Sequence, residues 1–370
     1  MKILVLAPSM GGTGGIQNYT AALVRALGEI AGEKNVRLVA VPTEPILRAD
    51  GNTALGPITK IRFLLSAIAT AIFWRPQLVF CTHVGVSPAA RIIHRITGAP
   101  YWVILHGIEV WCELAPPKVE ALRGAQQIVS TSRFTLESAS ARHGLEKCKT
   151  VFLPPTYSIT ETPASKKSAG TVESANMLTV LTVGRLAASE RYKGHDVMLD
   201  AWPAVLREIP DARYIIVGDG DDRPRLQERA RKMRLADSVI FKGTLSGAEL
   251  QSCYDNCQVF ALPARTELDS RTPLGEGFGI VFLEAMAHGK PVVGPNVGAP
   301  PEFIHDGEHG LLVNPANPAK LAQALVELLA NPERARQMGE AGRKWAREQY
   351  SYEMFRERLR KILQAHSLEN

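Results

Sequence analysis

Residues 1–17, Met1-Lys2-Ile3-Leu4-Val5-Leu6-Ala7-Pro8-Ser9-Met10-Gly11-Gly12-Thr13-Gly14-Gly15-Ile16-Gln17, carry in order a short apolar run, a glycine-rich loop and the approach to a helix expected to begin near Asn18. The run reads as a buried strand, so the backbone N–H groups of the loop and of the helix N-terminus converge on one anion site at the end of a sheet. Four glycines in five positions exceed what a tight turn needs and let a phosphate approach closely; Gly14 and Gly15 are therefore assigned to phosphate contact. The spacing is not the GxGxxG of dinucleotide enzymes, which sets a nicotinamide oxidoreductase aside. The run is also too brief for a signal-peptide core or a membrane span, so a cytoplasmic protein is expected.

Working outward, further short β-branched runs recur between helical stretches at 36–41, 78–81, 102–105, 127–130 and 151–153. Runs of this kind suit strands covered on both faces, hence a parallel sheet. The pattern stops in a stretch rich in Ser, Thr, Pro and Lys, taken as a linker over 157–176, and a second series follows at 179–183, 214–217, 239–242, 259–262, 291–293 and 311–313. The chain of 370 residues, 45% hydrophobic and 22% charged, thus reads as α/β, with two Rossmann-like, doubly wound domains over 1–156 and 177–351 facing a central cleft. A last amphipathic helix, with Phe355, Leu359, Ile362 and Leu363 on one side, is expected to pack against a domain surface, with 352–370 returning to the first domain.

The net charge of +6 would suit a polyanion, yet the basic residues are spread along the chain without interleaved aromatics, so no nucleic-acid partner is expected. Five scattered cysteines read as reduced structural thiols. No Asp-x-Asp stands in a position this architecture supports, and the histidines lack ligand spacing, so neither a metal nor a resident cofactor is expected.

The strongest local signal is 276–289, EGFGIVFLEAMAHG, a glycine-bracketed loop feeding a short helix. Glu276 lies in the loop, while Glu284 lies about one turn into the helix among Phe282, Leu283, Ala285 and Met286, where a carboxylate needs a partner. The N–H groups of Gly279, Ile280 and Val281 are candidates for phosphate. Arg185 and Lys193 follow the first strand of the second series. Each has a structural alternative, a carboxylate pair for Arg185 and a helix start for Lys193. His106 ends the 102–105 strand, at the edge where open sheets bind ligands; His83, one strand earlier, has no motif around it. The 218–221 stretch, Gly-Asp-Gly-Asp, reads as a turn, since its acids would repel phosphate, and 265–271 as a polar segment able to move over a site.

Through GGTGGIQ, HGIE at 106–109, GR at 184–185, KG at 193–194 and the E-x7-E of 276–284, essentially the whole chain resembles the family 4 retaining glycosyltransferases of GT-B fold. The set GGIQ, HGIEVW and LPART is most similar to the bacterial mannosyltransferases of phosphatidylinositol mannosides and polysaccharides. The resemblance implies that Arg185 and Lys193 hold the donor diphosphate, Glu284 the ribose hydroxyls, Glu276 the transferred sugar and His106 its far side. The donor it implies is a nucleoside-diphosphate sugar, GDP-mannose ahead of UDP-sugars, and the acceptor a glycolipid, lipid-linked or polysaccharide chain. Seven residues, LAASERY, separate Arg185 from Lys193, more than the common pattern has. A sugar-nucleotide epimerase or hydrolase, or a non-catalytic binder of the same fold, is the competing expectation. The apolar stretch 58–74, with Lys60, Arg62 and Arg75 about it, reads either as cover for the first sheet or as a peripheral contact with the inner face of a membrane; the oligomeric state is left open.

Overall fold

The computed structural model describes residues 1–11, 14–42, 46–47, 53–54, 56–157, 178–269 and 272–369. Within it the chain divides into two compact units, one formed by 1–156 with 352–370, the other by 157–351. The stretch read as a linker, 157–176, lies outside the described residues except for Tyr157.

The first unit opens with β1 (Ile3–Ala7), α1 (Gly15–Ala31) and β2 (Val36–Ala40), then a pair of two-residue strands, β3 (Ile46–Leu47) and β4 (Thr53–Ala54). It continues through α2 (Pro57–Trp74), β5 (Leu78–Cys81), α3 (Ser87–Thr97), β6 (Tyr101–Leu105), α4 (Ile108–Trp111), α5 (Pro116–Arg123), β7 (Gln127–Ser130), α6 (Arg133–His143) and β8 (Thr150–Phe152). Six of these strands form one parallel sheet in the order β2-β1-β5-β6-β7-β8, with Ile3 in register with Val36 on one side and Leu78 on the other. β1, β5 and β6 are buried along their whole length, which explains why they read as unbroken apolar runs and not as alternating ones. α1 starts at Gly15, three residues earlier than its sequence suggests, and buries Tyr19, Leu23, Ala26 and Leu27.

The second unit runs β9 (Thr179–Val183), α7 (His195–Glu208), β10 (Arg213–Val217), α8 (Arg223–Lys232), β11 (Val239–Gly243), α9 (Gly247–Asn256), β12 (Val259–Ala261), α10 (Ile280–Ala287), β13 (Val292–Pro295), β14 (Gly310–Val313), α11 (Pro318–Ala330) and α12 (Pro332–Tyr350). Its sheet is again parallel, ordered β11-β10-β9-β12-β13-β14. The order reverses between β9 and β12, and the crevice beyond the carboxyl ends of strands at such a point is where open α/β sheets bind ligands. Trp202, Tyr214, Ile216 and Leu325 pack in its core.

The chain then re-enters the first unit as α13 (Tyr352–Glu369). Phe355, Leu359 and Leu363 share a core with Ile3, Tyr19, Leu23, Phe80 and Trp102, and Arg356 pairs with Glu29 of α1 at 2.9 Å.

Candidate functional site

Arg185 follows β9 directly, and the seven residues after it do not form an open loop. Residues Ala188–Lys193 wind into a 3-10 helix, kinked at Glu190 (φ −116°, ψ 24°), which hands over to α7 at His195. The segment is latched to the turn after β10: Leu186 N–H donates to Asp219 O at 2.9 Å, Asp222 N–H to Leu186 O at 2.8 Å, and Ala188 N–H to the Asp221 carboxylate at 2.8 Å. Arg191 adds a two-pronged contact to Asp222, at 2.6 and 3.0 Å. Gly218, at φ +138°, brings this turn so close that a Cβ there would collide with the carbonyl of Gly184. The Gly-Asp-Gly-Asp stretch is therefore a turn, as its composition suggests, and it also braces the Arg185 loop.

Inside this brace the charged groups meet. Lys193, 13% exposed, donates to a carboxylate oxygen of Glu276 at 3.1 Å and lies 3.8 Å from Glu190 Oε2. Glu190, equally buried, is ion-paired through its other oxygen with Arg185, whose side chain is 71% exposed. Burial alone would lower the Lys193 ammonium, but Glu276, Tyr192 and Glu190 outweigh it and hold it above the ordinary lysine range, so it stays charged. Glu276 is thus no exposed loop acid: its side chain is 17% exposed.

The helix after Glu276 supplies the next elements. Gly279 caps α10 at φ +95°, ψ 56°, a conformation that suits glycine, and no side chain caps the helix. The first-turn N–H groups, those of Ile280 and Val281 among them, have no intrahelical acceptor. Phe282, Leu283, Ala285 and Met286 are buried, leaving Glu284 on the remaining face. Its carboxylate accepts a hydrogen bond from Tyr254 Oη at 2.8 Å; burial pushes it up to about 7, against that hydrogen bond. The next elements along, His288 and Asp255, pair at 2.7 Å.

In the first unit, Gly14 is the N-cap of α1, extended at φ −174°, with no side-chain cap. Asn18 N–H donates to Gly14 O at 3.0 Å, and the Gln17 amide donates to Ser9 O at 3.3 Å. Gly15 opens the helix; residues 12–13 of the glycine loop lie outside the described residues. His106 stands beyond β6. Its N–H donates to Glu109 Oε1 at 2.6 Å, and its ring sits edge-on to Tyr19 at 5.0 Å. Nε2 lies 2.8 Å from the Thr82 carbonyl, an acceptor only, so Nε2 carries the proton and Nδ1 the lone pair. Burial, above all, lowers the imidazole and keeps it neutral, against Glu109 and the Thr82 hydrogen bond.

Within the second unit the structure therefore joins Arg185, Lys193 and Glu276 through Glu190, while Glu284 is held by Tyr254; His106, Gly14 and Gly15 belong to the first unit. Glu190 and Tyr254 were not singled out from sequence. Glu190 lies in the very stretch whose length was unusual, which was a signal; Tyr254 lies 30 residues before its partner, with no spacing to betray it. His305, Glu308 and His309, around a turn, bring three potential ligand atoms within 4.8 Å of one another, a proximity that the sequence reading did not single out. Glu308 is 69% exposed and both rings lie against Trp345, at 4.9 and 5.3 Å. Of the 265–271 segment, residues 270–271 lie outside the described residues, and Glu267 forms an antiparallel bridge with Leu274. All five cysteines are free.

Two six-stranded parallel α/β units define a GT-B fold. It is shared with the Anabaena protein HepE in complex with UDP and glucose (18% identical, TM-score 0.75, covering 99% of this chain and 100% of that one) and with the sucrose-phosphate synthase of Thermosynechococcus elongatus (21%, TM-score 0.75, 100% of each). Residues 165–345 match the family described as glycosyl transferases group 1, so this chain carries a glycosyltransferase group 1 domain. Among curated relatives, the GDP-mannose-dependent alpha-(1-6)-phosphatidylinositol monomannoside mannosyltransferase of Mycolicibacterium smegmatis is 37% identical over 174 residues, 46% of this chain and 44% of that protein. The monoacylated-substrate enzyme of Corynebacterium glutamicum is 38% identical over 176 residues, 47% and 44% respectively. The match thus spans about half the length of these relatives.

Proposed function

We propose that the protein is a retaining, metal-independent hexosyltransferase that moves an α-mannosyl group from a nucleoside-diphosphate sugar to a glycolipid, lipid-linked or polysaccharide acceptor. The observation that carries this reading is the meeting of Arg185, Lys193 and Glu276 at the switch point of a glycosyltransferase group 1 domain. A departing nucleoside diphosphate gains negative charge as the sugar–phosphate bond breaks, and a fixed ammonium and guanidinium stabilise that growing charge more than the ground state. The N–H groups of Gly279, Ile280 and Val281 add donors for phosphate oxygens. Glu284 accepts from the ribose hydroxyls with Tyr254 behind it, and Glu276 orients the sugar.

The acceptor oxygen attacks the anomeric carbon on the face the diphosphate leaves. The new glycosidic bond forms as the old carbon–oxygen bond breaks, and the hydroxyl proton passes to an oxygen of the β-phosphate. GDP-mannose ranks ahead of UDP-sugars, and a phosphatidylinositol-type glycolipid ahead of other acceptors, because curated relatives of this chain bear those names. Work at the inner face of a membrane accords with such an acceptor and with the exposed apolar row on α2; no helix among the described residues is long and apolar enough to cross a membrane.

The test begins with thermal stabilisation by GDP, UDP, ADP and NAD at matched concentrations, since a ligand of the folded state raises the midpoint according to its affinity. GDP is expected to give the largest rise, followed by transfer from GDP-mannose to a phosphatidylinositol mannoside that persists in chelator. A rise with NAD alone would overturn the reading, and nucleotide binding without transfer would favour a hydrolase, an epimerase or a non-catalytic binder.

A further inference from the structure

Glu190 has a buried carboxylate with an unusual place. One oxygen is ion-paired with Arg185; the other, Oε2, is 3.8 Å from Lys193 Nζ and has no hydrogen-bond partner. With Glu276 also on Lys193, two cations face two carboxylates, and the cluster is neutral. A site built only to attract a diphosphate would not spend both cations on acids of its own. Nor does Glu190 serve the fold in an evident way: the latches that hold its segment run through Leu186, Ala188 and Arg191, and Glu190 itself sits at the kink between them.

We propose that Glu190 is an internal counter-anion, a positioning residue that holds Arg185 and Lys193 together while the site is empty and yields them to the donor's diphosphate. The inference rests on the reading of that pair as the diphosphate site. Without an anion between them, a guanidinium 71% exposed would wander in solvent, and ordering it would cost entropy at each binding event. With the carboxylate in place the pair is pre-arranged, but a second anion can bind only by displacing or enduring the first. Ligands without an anionic group never meet that exchange, so the competition from Glu190 falls on anions alone, leaves nucleosides unaffected and keeps out small anions too weakly held to displace the carboxylate. Its kinked, two-turn setting lets the side chain move without disturbing β9 or α7.

The experiment is calorimetric titration of the full chain and of Glu190→Gln and Glu190→Asp with GDP, guanosine and inorganic pyrophosphate, UDP and uridine being run in parallel. Gln keeps an oxygen for Arg185 and removes the charge; Asp keeps the charge. Glu190→Gln is expected to tighten diphosphate and pyrophosphate binding about tenfold, a modest share of what a unit charge at this range exerts at an effective dielectric near 20. Glu190→Asp is expected to show no tightening, and nucleoside binding to stay the same in all three proteins. Weaker diphosphate binding in Glu190→Gln, equal behaviour of Gln and Asp, or a parallel change for nucleosides would each overturn the proposal. Pyrophosphate tightening with no nucleotide bound by any variant would leave it standing and remove the donor reading instead; nucleotide bound equally by wild type and Glu190→Gln would do the reverse. Proteins that bind none of these ligands would overturn both.

Discussion

Glu284 carries the sharpest pH consequence of any single residue here. Its carboxyl is pushed by burial from 4.5 up to about 7, while the Tyr254 hydroxyl, donating at 2.8 Å, pulls the other way. Below pH 4.5 the group is protonated whether the chain is folded or not; above about 7 it is ionised in both states; between them the folded protein keeps the proton longer. Its contribution to stability is therefore full below 4.5 and lost as pH rises through about 7. At about 1.36 kcal/mol per pH unit, that span amounts to roughly 3 kcal/mol. Melting curves from pH 4.5 to 8 should fall less for Glu284→Gln than for wild type, and equal slopes would mean that the carboxyl is not buried as described. At this scale sequence went far. Arg185 and His106 are legible because short apolar runs announce strand ends, where ligand groups gather, and Glu276 because its loop is bracketed by glycines before a short helix. For Glu190 the unusual length of its stretch marks the place but not the role, which depends on two cations that only the folded segment brings to it.

Single elements differ in how openly they declare themselves. The central strands β1, β5, β6, β12 and β13 are legible because they are buried along their whole length and so lose the alternation of a half-exposed strand, whereas the edge strands β2 and β8 are partly exposed and show themselves by their β-branched residues and spacing. β3 and β4, two residues each, are too short to carry any period. α2 was ambiguous, and the structure shows why: it has two apolar faces. Phe63, Ala67, Ala71 and Trp74 are buried, while Ile58, Ile61, Leu65, Ile72 and Phe73 form a row on the outer side, with Phe73 88% exposed. Singly scattered apolar residues on a surface need no account, but an aligned row does. The helix contains Lys60 and Arg62, is followed by Arg75, and has no acidic residue, the pattern of a helix lying in an anionic interface. Sedimentation with anionic lipid vesicles should accordingly drop about tenfold or more in the Leu65→Ser/Phe73→Ser double variant, each lost side chain being worth about 1.5–3 kcal/mol when fully buried, with little change in melting temperature. Unchanged vesicle binding would dismiss the membrane contact, and a concentration-dependent dimer lost in the same variant would assign the row to a second copy.

The molecule as a whole is two cores on one chain, and the chain visits the first core twice. β1 to β8 build most of the first unit, yet Phe355, Leu359 and Leu363 arrive from the far end of the sequence to finish it. The helical period of the last stretch names its buried side, because Phe355, Leu359 and Leu363 recur every four residues; the sequence has no comparable mark for the helix's end, which lies at Glu369. Separate cores imply separable stabilities. Leu359 is fully buried, and Leu359→Ala should cost about 2–5 kcal/mol, the transfer of the lost atoms plus the cavity they leave. That loss belongs to the first unit, whereas GDP, on the proposed assignment to Arg185, Lys193 and Glu284, should stabilise the second. Differential scanning calorimetry should then resolve two transitions, one lowered by Leu359→Ala and indifferent to GDP, the other raised by GDP and indifferent to the substitution. A single transition moved by both would mean that the two cores melt as one, and that the helix returning at 352 couples them instead of completing only the first.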